Sequence, residues 1–169
     1  MIQDDTGTTV CSQDLTQVRC RGNSSFKYFL KKSYQFKLTT KSNLFGMGKS
    51  KTWLLIGNGR DRSQLRNYIT SAMAEYVGLQ YTPEMVYADL YMNGEYRGLY
   101  LLTEKIQVSS SRVDIADLGE ATQALNDQPL SKYSRIGGKT SADVKNRHGK
   151  YYDIPNEPED ITGGYLMEV

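Results

Sequence analysis

Residues Met85–Lys105 read MVYADLYMNGEYRGLYLLTEK. Apolar and polar residues alternate on both sides of Asn93-Gly94. That dipeptide suits a two-residue type I′ turn, because both positions tolerate positive φ. The segment therefore predicts an antiparallel β-hairpin. In the simplest register Tyr91 faces Tyr96 and Tyr87 faces Tyr100, so aromatic cross-strand pairs would brace the ribbon. Four of the chain's thirteen tyrosines lie here. Cross-strand tyrosines serve packing, and aromatic side chains also serve carbohydrate contact, so the hairpin carries both readings.

Working back from the hairpin, Leu65, Tyr68, Ile69, Ala72, Met73, Tyr76 and Val77 recur at spacings of three and four. They predict one amphipathic helix, with Ser63 as N-cap and Gly78 as its stop. Trp53–Ile56 (WLLI) predicts a short buried strand ended by Gly57-Asn58-Gly59. Tyr34–Leu38 (YQFKL) alternates, so Tyr34, Phe36 and Leu38 share one face and Lys37 points from the other. Leu15–Arg21 (LTQVRCR) alternates likewise and predicts a half-buried strand, and Gly22-Asn23-Ser24-Ser25 reads as a turn. Forward of the hairpin, Val113 and Ile115 suggest a strand edge and Leu118–Leu125 a short helix. Residues 131–160 are polar and read as a loop or insert. Gly163–Val169 (GGYLMEV) reads as an apolar strand at which the chain stops. The elements add up to an α+β fold, mainly antiparallel sheet with one main helix.

The 169 residues are 38% hydrophobic and 24% charged, enough for a packed core and unlike collagen, coiled-coil or disordered chains. No run approaches the ~18 apolar residues of a membrane span, and the polar Met1–Asp5 start carries no signal peptide. Cys11 and Cys20 make no C-x-x-C unit; they read either as a hairpin disulfide in an oxidising compartment or as two free thiols. His148, the only histidine, lies in a polar loop, so structural zinc and triad chemistry are not expected.

The net charge of +2 conceals an uneven distribution. Leu15–Arg60 holds ten Lys or Arg and no Asp or Glu; the other eleven basic residues share the rest of the chain with all 19 acidic ones. Such a segment attracts phosphates, nucleic acid or acidic protein, or else is a solvated basic face. Net acidity elsewhere and the lack of a recognition motif argue against nucleic acid. Within the segment, Arg19-x-Arg21-Gly22-Asn23-Ser24-Ser25 sets two forked cations beside small residues whose backbone N–H groups can approach an anion. Lys37 follows on a strand. Two strands, a phosphate-covering loop and a strand lysine is the layout of a kinase nucleotide cradle, although neither the P-loop nor the G-x-G-x-x-G signature is present.

The order of motifs resembles the spore coat protein H (CotH) kinase family. It is carried by RCRGNSS (Arg19–Ser25), KKSYQFKL (Lys31–Leu38), LFGM (Leu44–Met47) leading to Trp53-Leu54-Leu55, and DRSQLRN (Asp61–Asn67). YMNGEYRGLYLLTE (Tyr91–Glu104) and GGYLME (Gly163–Glu168) complete it. The resemblance implies the N-lobe of an atypical, secreted or spore-associated protein kinase that uses ATP and a divalent metal such as magnesium. It implies that Arg19, Arg21, Gly22, Asn23, Ser24 and Ser25 line the nucleotide phosphates, that Lys37 contacts them, and that Glu168 lies near the adenine. Glu104 is the first choice of carboxylate partner for Lys37 and Glu75 the second. Asp61 and Arg66 are expected to pair structurally at the helix start.

The resemblance implies that the metal-binding and catalytic aspartates lie in a second lobe, in a tryptophan-aspartate motif after the GGYL strand. Trp53, the sole tryptophan, is flanked by Thr52 and Leu54, so that motif is absent and no metal ligands are expected here. The expectation is a kinase N-lobe spanning residues 1–169, inactive alone and lacking its C-lobe. By resemblance its substrate is a coat or surface protein in an extracytoplasmic setting. The alternative is a non-catalytic surface module binding protein or glycan through Tyr91 and Tyr96.

Overall fold

The computed structural model describes residues 1–126, 128–135, 152–155, 158–162 and 166. They belong to two compact units, Met1–Val113 and Asp114–Val169. The first unit opens with a small hairpin of β1 (Ile2–Gln3) and β2 (Thr9–Cys11). The Asp4 carboxylate closes it, accepting from the backbone N–H groups of Thr6 and Thr8 at 3.0 and 2.9 Å. A five-stranded sheet follows, made of β3 (Leu15–Arg21), β4 (Ser33–Asn43), β5 (Lys49–Ile56), β6 (Met85–Met92) and β7 (Glu95–Glu104). Its order is β3-β4-β5-β7-β6 and every pairing is antiparallel. The expected α+β class holds.

One face of the sheet carries the main apolar cluster, while Leu54 and Leu101 are buried on the other. Phe36, Leu38, Trp53 and Leu102 pack with Leu44, Met47 and Cys11, while Ile2 and Val10 of the first hairpin close over them. Trp53 has no exposed surface, and its indole N–H donates to the Ser50 carbonyl at 3.1 Å, so burial strands no donor. β3 is an edge strand and more open than its alternation suggests: Val18 remains 49% exposed. Cys11 is buried and Cys20 exposed, and both are free thiols.

The hairpin β6–β7 turns at Asn93 and Gly94, with φ of 54° and 81°, as the type I′ turn requires. Tyr91 pairs with Tyr96, but Tyr87 pairs with Leu101 and Ala88 with Tyr100. The expected Tyr87–Tyr100 pair is therefore wrong by one residue. A bulge inserts Arg97 between the Tyr91–Tyr96 and Leu90–Gly98 pairs, and Gly98 takes the positive φ of 104° there. The displaced rings find other partners: Tyr87 lies 5.4 Å from Tyr68, and Tyr100 lies 6.1 Å from Tyr34, between centroids.

Three α-helices are formed among the described residues. Residues expected to form only a turn instead wind into α1 (Ser24–Tyr28). The main helix, α2 (Arg66–Tyr76), starts two residues later than expected and Ser63 is not its cap. The Asp61 carboxylate accepts the Arg66 N–H at 2.8 Å, because the backbone turns at Gln64, φ 60°, and brings Asp61 under the first turn. Gly78 does end it: the N–H groups of Gly78 and Leu79 donate to the carbonyls of Glu75 and Ala74, a Schellman motif. The apolar stripe is present but largely uncovered, with Ile69 and Met73 47% and 62% exposed. Val113 joins Val108 in a single bridge, whereas Ile115 joins none.

In the second unit α3 (Leu118–Leu125) matches its expected span, capped by Asp117, which accepts the Glu120 N–H at 3.0 Å. The 131–160 insert falls largely outside the described residues, as do His148, Gly163–Tyr165 and Glu168.

Candidate functional site

Cross-strand partners point to the same face of a sheet, and successive residues alternate. Val18, Phe36, Trp53 and Glu104 make one row across β3, β4, β5 and β7; Arg19, Gln35, Leu54 and Thr103 make the next. Phe36 and Trp53 mark the core face. Arg19, Arg21 and Lys37 all belong to alternate rows, so they project together from the other face. Arg19 donates through Nη2 to Oε1 of Gln35 at 3.1 Å, and Gln35 is itself buried, which fixes the direction of the guanidinium. Lys37 is exposed. Four residues separate its row from that of Arg21, about 13 Å along the strands, a gap two long side chains can close from opposite ends.

The loop between β3 and β4 lies at the Arg21 end. Gly22 has φ +98°, and a Cβ there would stand 2.0 Å from the Ser25 hydroxyl oxygen. Only glycine lets the chain turn so closely onto Ser25. Asn23 precedes α1 and accepts the Lys27 N–H at 3.1 Å through its carbonyl. Arg21 and Ser25 line a depression of about 300 Å³ whose floor includes Ser33 and Ile56.

Glu104 lies elsewhere. It belongs to the core-face row, so the sheet itself separates it from Lys37. Its Oε1 is paired with the Arg112 guanidinium, and its Oε2 accepts from the Tyr81 hydroxyl at 3.1 Å and the Glu84 N–H at 3.2 Å. Arg112 also donates to the Met47 carbonyl and stacks 4.9 Å from the Trp53 ring centre. Burial, and then the Glu104 charge, push the Tyr81 hydroxyl far above its ordinary pKa, so it stays a donor. Glu75 lines a cleft of about 720 Å³ beside Glu104 and Glu84. Neither Glu104 nor Glu75 is paired with Lys37. Asp61 does what was expected of it: Nε of Arg66 stands 3.7 Å from its carboxylate.

Arg112 escaped sequence reasoning because it follows the polar run Ser109-Ser110-Ser111, which carries no periodicity. Lys31 escaped as well. Its ammonium lies 4.8 Å over the Tyr100 ring and donates to the Leu99 carbonyl and to Gln64, and burial lowers its pKa. Leu54, Leu101 and Thr103 on the same face are buried, so it is the β3 side of this face that offers cations and amide or hydroxyl donors, the set that suits phosphate oxygens. A divalent cation needs several oxygen ligands, and among the described residues no group of three or more His, Cys, Asp or Glu could hold one.

A family model described as CotH kinase protein matches residues 18–162 of the chain. No curated protein matches it.

Proposed function

Because this chain belongs to the CotH kinase protein family, we propose that the β3 side of the sheet face bearing Arg19, Arg21 and Lys37 holds the polyphosphate of ATP for transfer to serine or threonine of a protein substrate. The observation that supports this reading is the shared face of Arg19, Arg21 and Lys37, with Gly22–Ser25 folded closely at its end. Lys37 takes phosphate oxygens from one side. Arg21 and the Gly22-Asn23-Ser24-Ser25 loop cover them from the other, and Arg19, oriented by Gln35, lies between. Charge neutralisation and orientation are most of what phosphoryl transfer asks of a protein. Glu104 serves this face indirectly, bracing the β4–β5 turn through Arg112.

A divalent metal such as magnesium would supply charge neutralisation at the phosphates when bound. Among the described residues no group of three or more His, Cys, Asp or Glu could hold it, and the sequence has no tryptophan-aspartate motif. On this reading the 169 residues bind nucleotide and leave turnover to a partner lobe. A coat or surface protein as substrate, in an extracytoplasmic or spore-surface setting, follows from the family alone. No helix among the described residues is long and apolar enough to cross a membrane.

Calorimetric titration of the full chain with Mg·ATP tests the reading. Lys37→Met should weaken binding at least tenfold while leaving the melting curve in place, since Lys37 is exposed. Equal affinity in the variant, or no binding at millimolar nucleotide, would sink it.

One observation favours a second reading, a surface-binding module. Tyr91 and Tyr96 stack at 5.2 Å and remain 64% and 55% exposed at the hairpin tip. Glycan-array binding lost in Tyr91→Ala/Tyr96→Ala would support it; unchanged binding would reject it.

A further inference from the structure

The depression at the Arg21 end of the sheet extends beyond the residues assigned to the nucleotide. Its other wall is built from the β5–α2 connection and the start of α2: Asn58, Gly59, Arg60, Arg66 and Asn67. Lys31 enters from the connection just before β4. Four cations thus converge on a space of about 300 Å³. One carboxylate is present, Asp61, and it is already committed. It accepts from the Ser63 hydroxyl at 2.6 Å, the Ser63 N–H at 3.1 Å and the Arg66 N–H at 2.8 Å, besides facing the Arg66 side chain. Setting Asp61 against Arg66 leaves Arg21, Lys31 and Arg60. None of these three has a carboxylate partner among the described residues.

The walls are also held in place. Lys31 is fixed over Tyr100 by its bonds to Leu99 and Gln64. Asn67 donates to the Asn58 side chain at 2.6 Å, joining the loop to α2. A Cβ on Gly59 would come within 3.1 Å of Phe29 Cβ, and one on Gly57 within 3.1 Å of the Lys32 carbonyl, so this loop lies flush against the β3–β4 connection. Three uncompensated cations around a preformed hollow repel each other unless an anion enters. Two of them are arginines, whose forked donors match tetrahedral oxyanions.

We propose that this depression is a binding site for a phosphate-monoester dianion, held by Arg21, Lys31 and Arg60, with Asn58 and Asn67 as neutral donors. It deepens the nucleotide reading only in sharing Arg21, and it stands if that reading fails. Two sources offer the same chemistry: the terminal phosphate of a nucleotide, or a phosphorylated residue of a protein substrate. The row of Lys37 lies about 13 Å from that of Arg21, so a triphosphate spanning the two rows shares only Arg21 with this hollow, and Lys31 and Arg60 remain for a second anion.

The test is titration of the full chain, at low salt, with inorganic phosphate, with Mg·ATP and with a short phosphoserine peptide beside its unphosphorylated form. Arg60 is exposed, so Arg60→Gln should preserve the melting curve and weaken inorganic phosphate at least tenfold. Lys37→Met should leave phosphate affinity unchanged, which separates this site from the nucleotide reading. ATP that competes with phosphate assigns the site to the nucleotide. A phosphopeptide that binds alongside ATP, with its unphosphorylated form at least tenfold weaker, assigns it to the substrate. The proposal is overturned if phosphate fails to bind at millimolar concentration, or binds Arg60→Gln as tightly as the parent chain.

Discussion

Arg112 and Glu104 form an ion pair whose side chains are 0% and 6% exposed, stacked on Trp53 and tied to the β4–β5 turn through the Met47 carbonyl. Such pairs hold position at some cost, because both charges leave water. Here Nε and Nη2 of Arg112 have no hydrogen-bond partner, so desolvation is only partly offset. Arg112→Met alone leaves the Glu104 charge buried and unpaired and should cost about 3–5 kcal/mol. Arg112→Met/Glu104→Gln keeps an acceptor for Tyr81 and Glu84 and should recover much of that loss. Urea melts of the two variants decide it; a double variant no more stable than the single one would refute the account.

Gly22 meets two constraints that can be separated. Its φ of +98° is costly for any residue with a Cβ, and a Cβ would also press on the Ser25 hydroxyl. A serine side chain can rotate away, so the backbone term should dominate. Gly22→Ala is expected to cost about 1–3 kcal/mol, and adding Ser25→Ala should restore little of it. Full rescue by the second substitution would show that the contact, not the backbone, sets the requirement.

Local patterns in the sequence carried most of the fold. Alternation in LTQVRCR, YQFKL and the Asn93-Gly94 hairpin identified four of the five sheet strands, WLLI the remaining one, and three-four spacing found α2. Two kinds of information were not local. The order β3-β4-β5-β7-β6 decides that Lys37 and Glu104 leave opposite faces, and nothing in either motif encodes which strands are neighbours. Buried polar partners were equally hidden: Arg112 and Lys31 acquire their roles from Glu104, Trp53, Tyr100 and Leu99, all distant in sequence except Glu104.

The bulge at Arg97 moves every residue of β6 below Leu90 by one position relative to β7, and Gly98 permits it with φ +104°. Gly98→Val should therefore be strained at this site and destabilise by more than the ~1 kcal/mol typical of a strand glycine. Deleting Arg97 removes the extra residue and leaves Leu90 opposite Gly98 and Tyr87 opposite Leu101, so the ladder should become regular with no change of partners. Backbone contacts between Tyr87 and Leu101, read by nuclear Overhauser effects, should therefore appear in the parent chain and in the deletion variant alike. Contacts between Tyr87 and Tyr100 in the parent chain instead would contradict the bulged register.

Asp61 supplies a pH dependence that can be read locally. The Ser63 hydroxyl, then the Arg66 N–H, hold its carboxyl below the ordinary 3.8, against a smaller opposing effect of burial. A carboxyl with a lowered folded pKa contributes stability that is complete above its unfolded value. That contribution is lost as pH falls through the folded value. The start of α2 should thus be fully capped at neutral pH and begin to fray only below about pH 4. Asp4 and Asp160 are shifted the same way by Thr6 and Thr162, so global melting would mix three groups. Amide exchange at Arg66 isolates this one: protection should fall in acid, and Asp61→Asn should flatten that acid limb while lowering protection at neutral pH. An Arg66 amide whose exchange shows the same acid dependence in Asp61→Asn would rule out Asp61 as the cap.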